Sequence, residues 1–253
     1  MKSINVIILL AACIQGTYQD TLAQQPADSK LGDFLLWTNW GGEEFQPYIT
    51  IPDNHTPGCH SMAYAQIFNY HRMAPGGKVD YTSSKEYVIR ENLNNYSPDW
   101  ELMNPTGRSD CDSLGIREIQ KYLYYVAATV GKDFGTGNYM TNFHKRQLKR
   151  HYDCKVKEYL RYRGLFLSKK KIRRILIEEI DEGRPVYFHY TNFNGGGHSV
   201  VADGYQVKDG ILLVHLNFGW GGRSDGWYDP LGPIANPDDT ILRIITTIHP
   251  KGT

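Results

Sequence analysis

No apolar run in this sequence approaches the roughly 20 residues that a helix needs to cross a bilayer. The apolar core at the N-terminus is Val6–Leu10, followed by small residues. Charge of one sign is also missing: 28 Lys and Arg against 27 Asp and Glu give a net charge of +1. That balance argues against nucleic acid as a partner, since a binding face needs a basic excess. Cysteine is scarce, with Cys13, Cys59, Cys111 and Cys154 alone. No CxxC pair or Cys/His spacing suggests a zinc site, so neither metal nor cofactor is expected. The glycine-rich stretch 131–139 lacks the Lys-Ser/Thr ending of a phosphate-binding loop.

The composition that remains, 41% hydrophobic and 22% charged, is that of a globular chain of one large domain. Lys2, the short apolar core and the small residues after it read as an export signal over residues 1–13. Leu10-Ala11-Ala12-Cys13 also resembles a bacterial lipobox, which would place a lipid on Cys13. Residues 14–33 are polar and aperiodic and read as a linker, leaving 34–250 as the folded domain. An extracytoplasmic protein, secreted or lipid-anchored to the cell envelope, is therefore expected. Cys111 and Cys154 are either a disulfide or two separate thiols; the sequence leaves both open.

Three stretches carry the chemistry. Pro57-Gly58 punctuates the chain directly before Cys59, and a helix-compatible run follows. A cysteine at a helix N-terminus feels free N–H groups and the positive dipole end, which favour the nucleophilic thiolate. His198 follows three glycines at the start of an apolar strand. Asn217 ends another strand and opens a loop rich in Gly and Trp. A His and an Asn some 130–150 residues beyond a catalytic Cys is the papain-like order.

Residues 58–73 (GCHSMAYAQIFNYHRM), 196–205 (GGHSVVADGY) and 215–228 (HLNFGWGGRSDGWY) together resemble the streptopain family of bacterial papain-like cysteine peptidases. The resemblance runs from about Leu35 to about Pro250. It implies an α+β, papain-like fold of two lobes, with a helical first lobe, an antiparallel second lobe and the active site in the cleft. It implies peptide-bond hydrolysis by a Cys59 thiolate and His198, with Asn217 orienting the imidazole. Protein or peptide substrates are the expected partners. The family's oxyanion glutamine falls where this chain has Gly41 or Gly42, and Gln46 is the nearby candidate to replace it. Gly197 and Trp220 are placed in the substrate cleft on the same grounds. Phe218 stands where the family carries a tryptophan, and Asp203 is expected to fix a turn after its strand. His60, His71, His189 and His215 are left outside the catalytic set.

The family usually carries a long inhibitory propeptide, whereas the linker here is short. Control by a separate inhibitor protein is one expectation that follows. Weak activity is the other, and with it two alternative functions: a papain-like peptide-binding protein, or a cysteine amidase or acyltransferase acting on cell-wall peptide.

Periodicity predicts helices over residues 59–72, 112–130 and 169–182. Leu114, Ile119, Leu123 and Val126 would form the buried stripe of the second. Strands are predicted near residues 184–190, 198–205, 211–216 and 241–248. Residues 78–110 read as loops with a short helix. The basic runs at 145–150 and 169–174 read as solvated faces, or as attraction to acidic substrates or an anionic surface.

Overall fold

The computed structural model describes residues 34–41, 55–103, 113–192, 196–208, 210–234 and 240–251. The signal, the linker, Gln46 and Cys111 lie outside them.

A seven-stranded antiparallel sheet organises the chain. Its order is β4 (Leu165–Phe166), β3 (Cys154–Tyr162), β9 (Thr240–Pro250), β5 (Val186–Asn192), β6 (Gly197–Lys208), β7 (Ile211–Asn217) and β8 (Gly226–Tyr228). Alternation along the strands divides their side chains between two cores. In β5, Val186, Phe188 and Tyr190 join the core that holds Ile172, Ile175 and Leu176 of α4 (Lys169–Asp181). Tyr187 joins the other, which holds α1 (Cys59–Tyr70) and α2 (Ser113–Thr129). Helices and an antiparallel sheet thus form the α+β arrangement expected.

The four predicted strands are all present; β5 starts two residues later than predicted, and the other ends match or extend by one to three residues. The predicted helices are too, and α4 is N-capped by Ser168, whose hydroxyl accepts from the Lys171 N–H. Other expectations need correction. Residues 78–110 hold a β-hairpin, β1 (Lys78–Thr82) with β2 (Val88–Asn92), followed by a 3-10 turn at Leu93–Asn95. Each of these strands buries only one residue fully, Val79 or Ile89, so the alternation is faint in sequence. The basic stretch 142–161 holds α3 (Lys145–His151) and most of β3. Its lysines alternate with buried Cys154 and Val156, as an amphipathic strand requires. Leu114 is 60% exposed; the buried face of α2 runs through Gly115, Ile119, Tyr122, Leu123 and Val126 instead, at three- and four-residue spacing. Cys154 is a buried free thiol.

Asp203 lies inside β6, at the register shift between Ala202 and Gly204, and fixes no turn. Its Oδ1 pairs with His215 Nδ1 of β7 at 2.7 Å, and its Oδ2 accepts from Leu36 N at 3.3 Å. Phe34 stacks on the His215 ring at 3.7 Å. The first described segment is thereby strapped across the sheet. At its end, Gly41 makes an antiparallel bridge to Trp220. A Cβ on Gly41 would stand 2.7 Å from Gly221 N, so only glycine permits this approach to the Gly/Trp loop.

Candidate active site

The helix α1 begins at Cys59 itself. Gly58 precedes it with φ 83°, a conformation available to glycine and strained for other residues. No side chain of Gly58 can cap the helix, and Tyr139 supplies the missing partner. Its hydroxyl accepts from Ser61 N at 3.0 Å, is hydrogen-bonded to Ser61 Oγ, and lies 2.9 Å from the Pro57 carbonyl oxygen. Tyr139 therefore closes the first turn from outside the helix. Lys132, buried below its ring, donates to the carbonyls of Thr136 and Asn138 and fixes the loop that carries Tyr139.

Opposing effects act on the Cys59 sulfur. Burial pushes the thiol up from its ordinary value and is the largest. Against it stand hydrogen bonds from the hydroxyl and backbone of Ser199, the backbone of His60, and the positive charge of Lys132. The balance leaves the resting group a thiol ringed by donors that would stabilise a thiolate. Ser199 is itself tied down: its Oγ is hydrogen-bonded to His189 Nδ1 at 2.9 Å and to Tyr187 Oη at 3.1 Å. Tyr187 Oη continues to His60 Nδ1 at 2.7 Å. His144 meets the His60 ring edge-on at 5.0 Å, completing a buried imidazole cluster behind the cysteine. Burial holds the pKa of His60 well down and those of His144 and His189 at about 4.

His198 opens the same strand, one residue before Ser199. Its Nε2 lies 2.9 Å from the Phe218 carbonyl oxygen. A carbonyl only accepts, so in the neutral ring Nε2 carries the proton and Nδ1 keeps its lone pair. The ring stacks on Phe218 and meets Trp220 at 4.4 Å. Desolvation lowers its pKa, while the Phe218 contact raises it. Among the described residues, no hydrogen bond joins His198 to Cys59.

Asn217 does not meet the imidazole directly. Its Oδ1 accepts from Gln66 Nε2 and Gly219 N, each at 3.0 Å, and its Nδ2 donates to Thr38 O at 3.0 Å. Thr38 Oγ1 closes the ring by donating to Gln66 Oε1. Asn217 thus joins three elements, the strap, α1 and the end of β7. The next residue along, Phe218, supplies the contact to the histidine, and its own N–H is held by Asp225 Oδ1 at 2.7 Å.

Trp220 is 37% exposed beside His198 and is available to a substrate. Gly197 has another reason to be glycine: a Cβ there would lie 2.7 Å from the Tyr190 carbonyl oxygen across the β5–β6 pair. Sequence reasoning missed Ser199, His189, Tyr139 and Lys132. A polar residue directly after the expected catalytic histidine was the one available signal. Among the described residues, no group of three or more His, Cys, Asp or Glu side chains could hold a metal ion.

A thiol at a helix N-terminus, against an antiparallel strand that carries a histidine, is the architecture of papain-like proteins. The solved structure of active interpain A cysteine protease from Prevotella intermedia shares this fold. It superposes with a TM-score of 0.67 at 22% identity, covering 84% of this chain and 93% of that one. The chain belongs to the Peptidase C10 family, whose profile matches residues 43–228. Streptopain of Streptococcus pyogenes serotype M1 is 30% identical over 191 residues, 70% of this chain and 47% of its own length. The thiol protease/hemagglutinin PrtT of Porphyromonas gingivalis is 29% identical over 203 residues, 77% of this chain and 23% of its own. The chain thus spans about half the length of streptopain and about a quarter of PrtT.

Proposed function

We propose that the protein is a cysteine endopeptidase acting outside the cytoplasm, exported by residues 1–13 and either secreted or, through Cys13, lipid-anchored to the envelope. The observation that carries the catalytic reading is the Phe218 carbonyl on His198 Nε2, which leaves Nδ1 as the base. Cys59 is the nucleophile, its thiolate favoured by the α1 N-terminus and the donors around it. His198 Nδ1 takes the thiol proton and returns it to the leaving amine. The Cys59 backbone N–H donates to the developing oxyanion. Gln46 is the candidate second donor, and Trp220 borders the cleft. Asn217 supports the imidazole through the peptide that follows it. Unfolded protein is the proposed substrate.

The partly exposed Cys59, with its thiol pushed up by desolvation and engaged by Ser199, favours a second reading, a slow or substrate-gated thiol on a peptide-binding or cell-wall amidase surface. One experiment separates them. Iodoacetamide labelling of Cys59 is followed by mass spectrometry in wild type and His198→Ala, beside cleavage of unfolded casein. The peptidase reading expects casein cleavage and labelling that collapses without His198. Labelling that needs His198 but brings no cleavage selects the amidase form of the second reading, and labelling indifferent to His198 overturns the catalytic reading and leaves the peptide-binding one.

A further inference from the structure

The corner where β4 meets α4 departs from what a stable surface requires in two ways. The turn at Arg163-Gly164 has positive φ at both residues, 46° and 84°, which suits a tight hairpin. It pairs Tyr162 with Leu165 and Arg161 with Phe166. The Arg161 guanidinium braces it by donating to the carbonyls of Gly164 and Leu167. On this rigid frame Leu165 is 63% exposed and Phe166 81% exposed, the latter with φ 69°. A bulky residue in the left-handed region is strained, and burial does not repay that strain here. Tyr162 beside them is also exposed, with Arg163 against its ring.

The second departure follows three residues on. Lys169, Lys170 and Lys171 fill the first turn of α4, which contains no acidic residue. Cations there oppose the helix dipole. Residues 159–177 contain seven Lys or Arg and no Asp or Glu, in a chain whose net charge is only +1. Arg174 pairs with Glu178, whereas Arg163 and the three lysines make no ion pair among the described residues. An apolar ridge and a cationic patch are therefore contiguous, and each is costly to the isolated fold. Local rules broken together at one place mark a surface kept for something outside the fold.

We propose that this corner docks on an anionic lipid surface, with Leu165 and Phe166 entering the interface and Arg163 and Lys169–Lys171 meeting headgroups. The lysines supply charge complementarity, each adding attraction to an anionic bilayer. The exposed Leu and Phe discriminate a bilayer from a purely polar polyanion, which offers apolar side chains nothing to enter. β4 is the edge strand, so nothing else in the sheet covers it. The contact needs neither a reactive Cys59 nor a lipid on Cys13.

The test uses the full chain carrying Cys13→Ser, so that no lipid can attach, and sedimentation with vesicles. Binding is expected to mixed phosphatidylcholine–phosphatidylglycerol vesicles and not to phosphatidylcholine alone, and to weaken as salt rises. Lys169→Gln/Lys170→Gln/Lys171→Gln lowers affinity by roughly tenfold or more. Leu165→Ser/Phe166→Gly lowers it by at least about tenfold. Because glycine accepts the positive φ and Leu165 is exposed, this double variant should melt no lower than wild type, which separates lost docking from lost folding. Equal binding to neutral vesicles, or binding indifferent to Leu165 and Phe166, overturns the proposal. So does heparin binding without vesicle binding, which would assign the patch to a soluble polyanion.

Discussion

The carbonyl oxygen of Phe218 lies 2.9 Å from Nε2 of His198, while the side chain of Asn217 faces away into a hydrogen-bonded ring with Thr38 and Gln66. The two neighbours divide a task that sequence reasoning gave to the asparagine alone. Phe218 sets the tautomer, and Asn217 holds the peptide chain in place from behind.

Asn217→Ala should therefore act first on stability. It leaves Gln66 Nε2, Gly219 N and Thr38 O short of a buried partner. The expected cost is roughly 2–4 kcal/mol, read as a lower urea midpoint at unchanged slope. The Cys59 labelling rate, measured where the variant is still folded, should fall less than in His198→Ala. An equal fall at unchanged stability would restore Asn217 as the residue that orients the ring.

Ser199→Ala should shift the pH dependence of Cys59 alkylation. Burial already raises the thiol's pKa, and the Ser199 hydroxyl opposes that rise. Removing the hydroxyl raises it further, so the labelling profile moves to higher pH. Below the midpoint the labelling rate falls with the thiolate fraction. A purely structural role for Ser199 would lower amplitude or stability and leave the midpoint in place.

The parts of this site that were legible in sequence are those written into local chain direction. Pro57-Gly58 announces where α1 starts, and the glycines before His198 announce β6. Ser199 was hidden by its position: successive strand residues point to opposite faces, so the residue beside the histidine looked unrelated to it. Tyr139 and Lys132 reach Cys59 from more than 70 positions away, with no periodic pattern to bring them there. The β1–β2 hairpin was lost because its strands bury one residue each. α3 and β3 were lost because their lysines and arginines masked the buried Leu148, Cys154 and Val156.

Gly58→Ala should cost activity and stability together. The position has φ 83°, and an added Cβ would lie 2.6 Å from Tyr139 Oη. The backbone strain alone is about 1–3 kcal/mol. Relief of the clash would push Tyr139 off Ser61 N and open the first turn of α1. Tyr139→Phe isolates that second effect, removing the hydroxyl without straining Gly58. It should slow Cys59 labelling while lowering the melting temperature less than Gly58→Ala does.

The imidazole cluster behind Cys59 makes stability depend on acid in a defined window. His144 and His189 have folded-state pKa values of about 4, and His60 also lies well below its ordinary 6.5. Desolvation is the leading cause in each, and neighbouring imidazoles push the values further down, while the Glu158 carboxylate accepts from the His144 backbone N–H. Folding thus favours the neutral forms. Their contribution is fully present above about pH 6.5 and is lost as pH falls from there through about 4, because the unfolded chain binds protons first. His144 is the ring to remove. Its hydrogen bonding is weak: Nδ1 makes a long contact, 3.4 Å, with Tyr64 Oη, which also donates to Thr246, and the ring lies against the Thr141 backbone. His144→Phe keeps the aromatic contacts and deletes one titrating group. Urea midpoints measured between pH 7 and pH 4 should fall less steeply in this variant, with little change at pH 7. A slope equal to wild type would mean that acid acts elsewhere, through the carboxylates of the surface and not through this cluster.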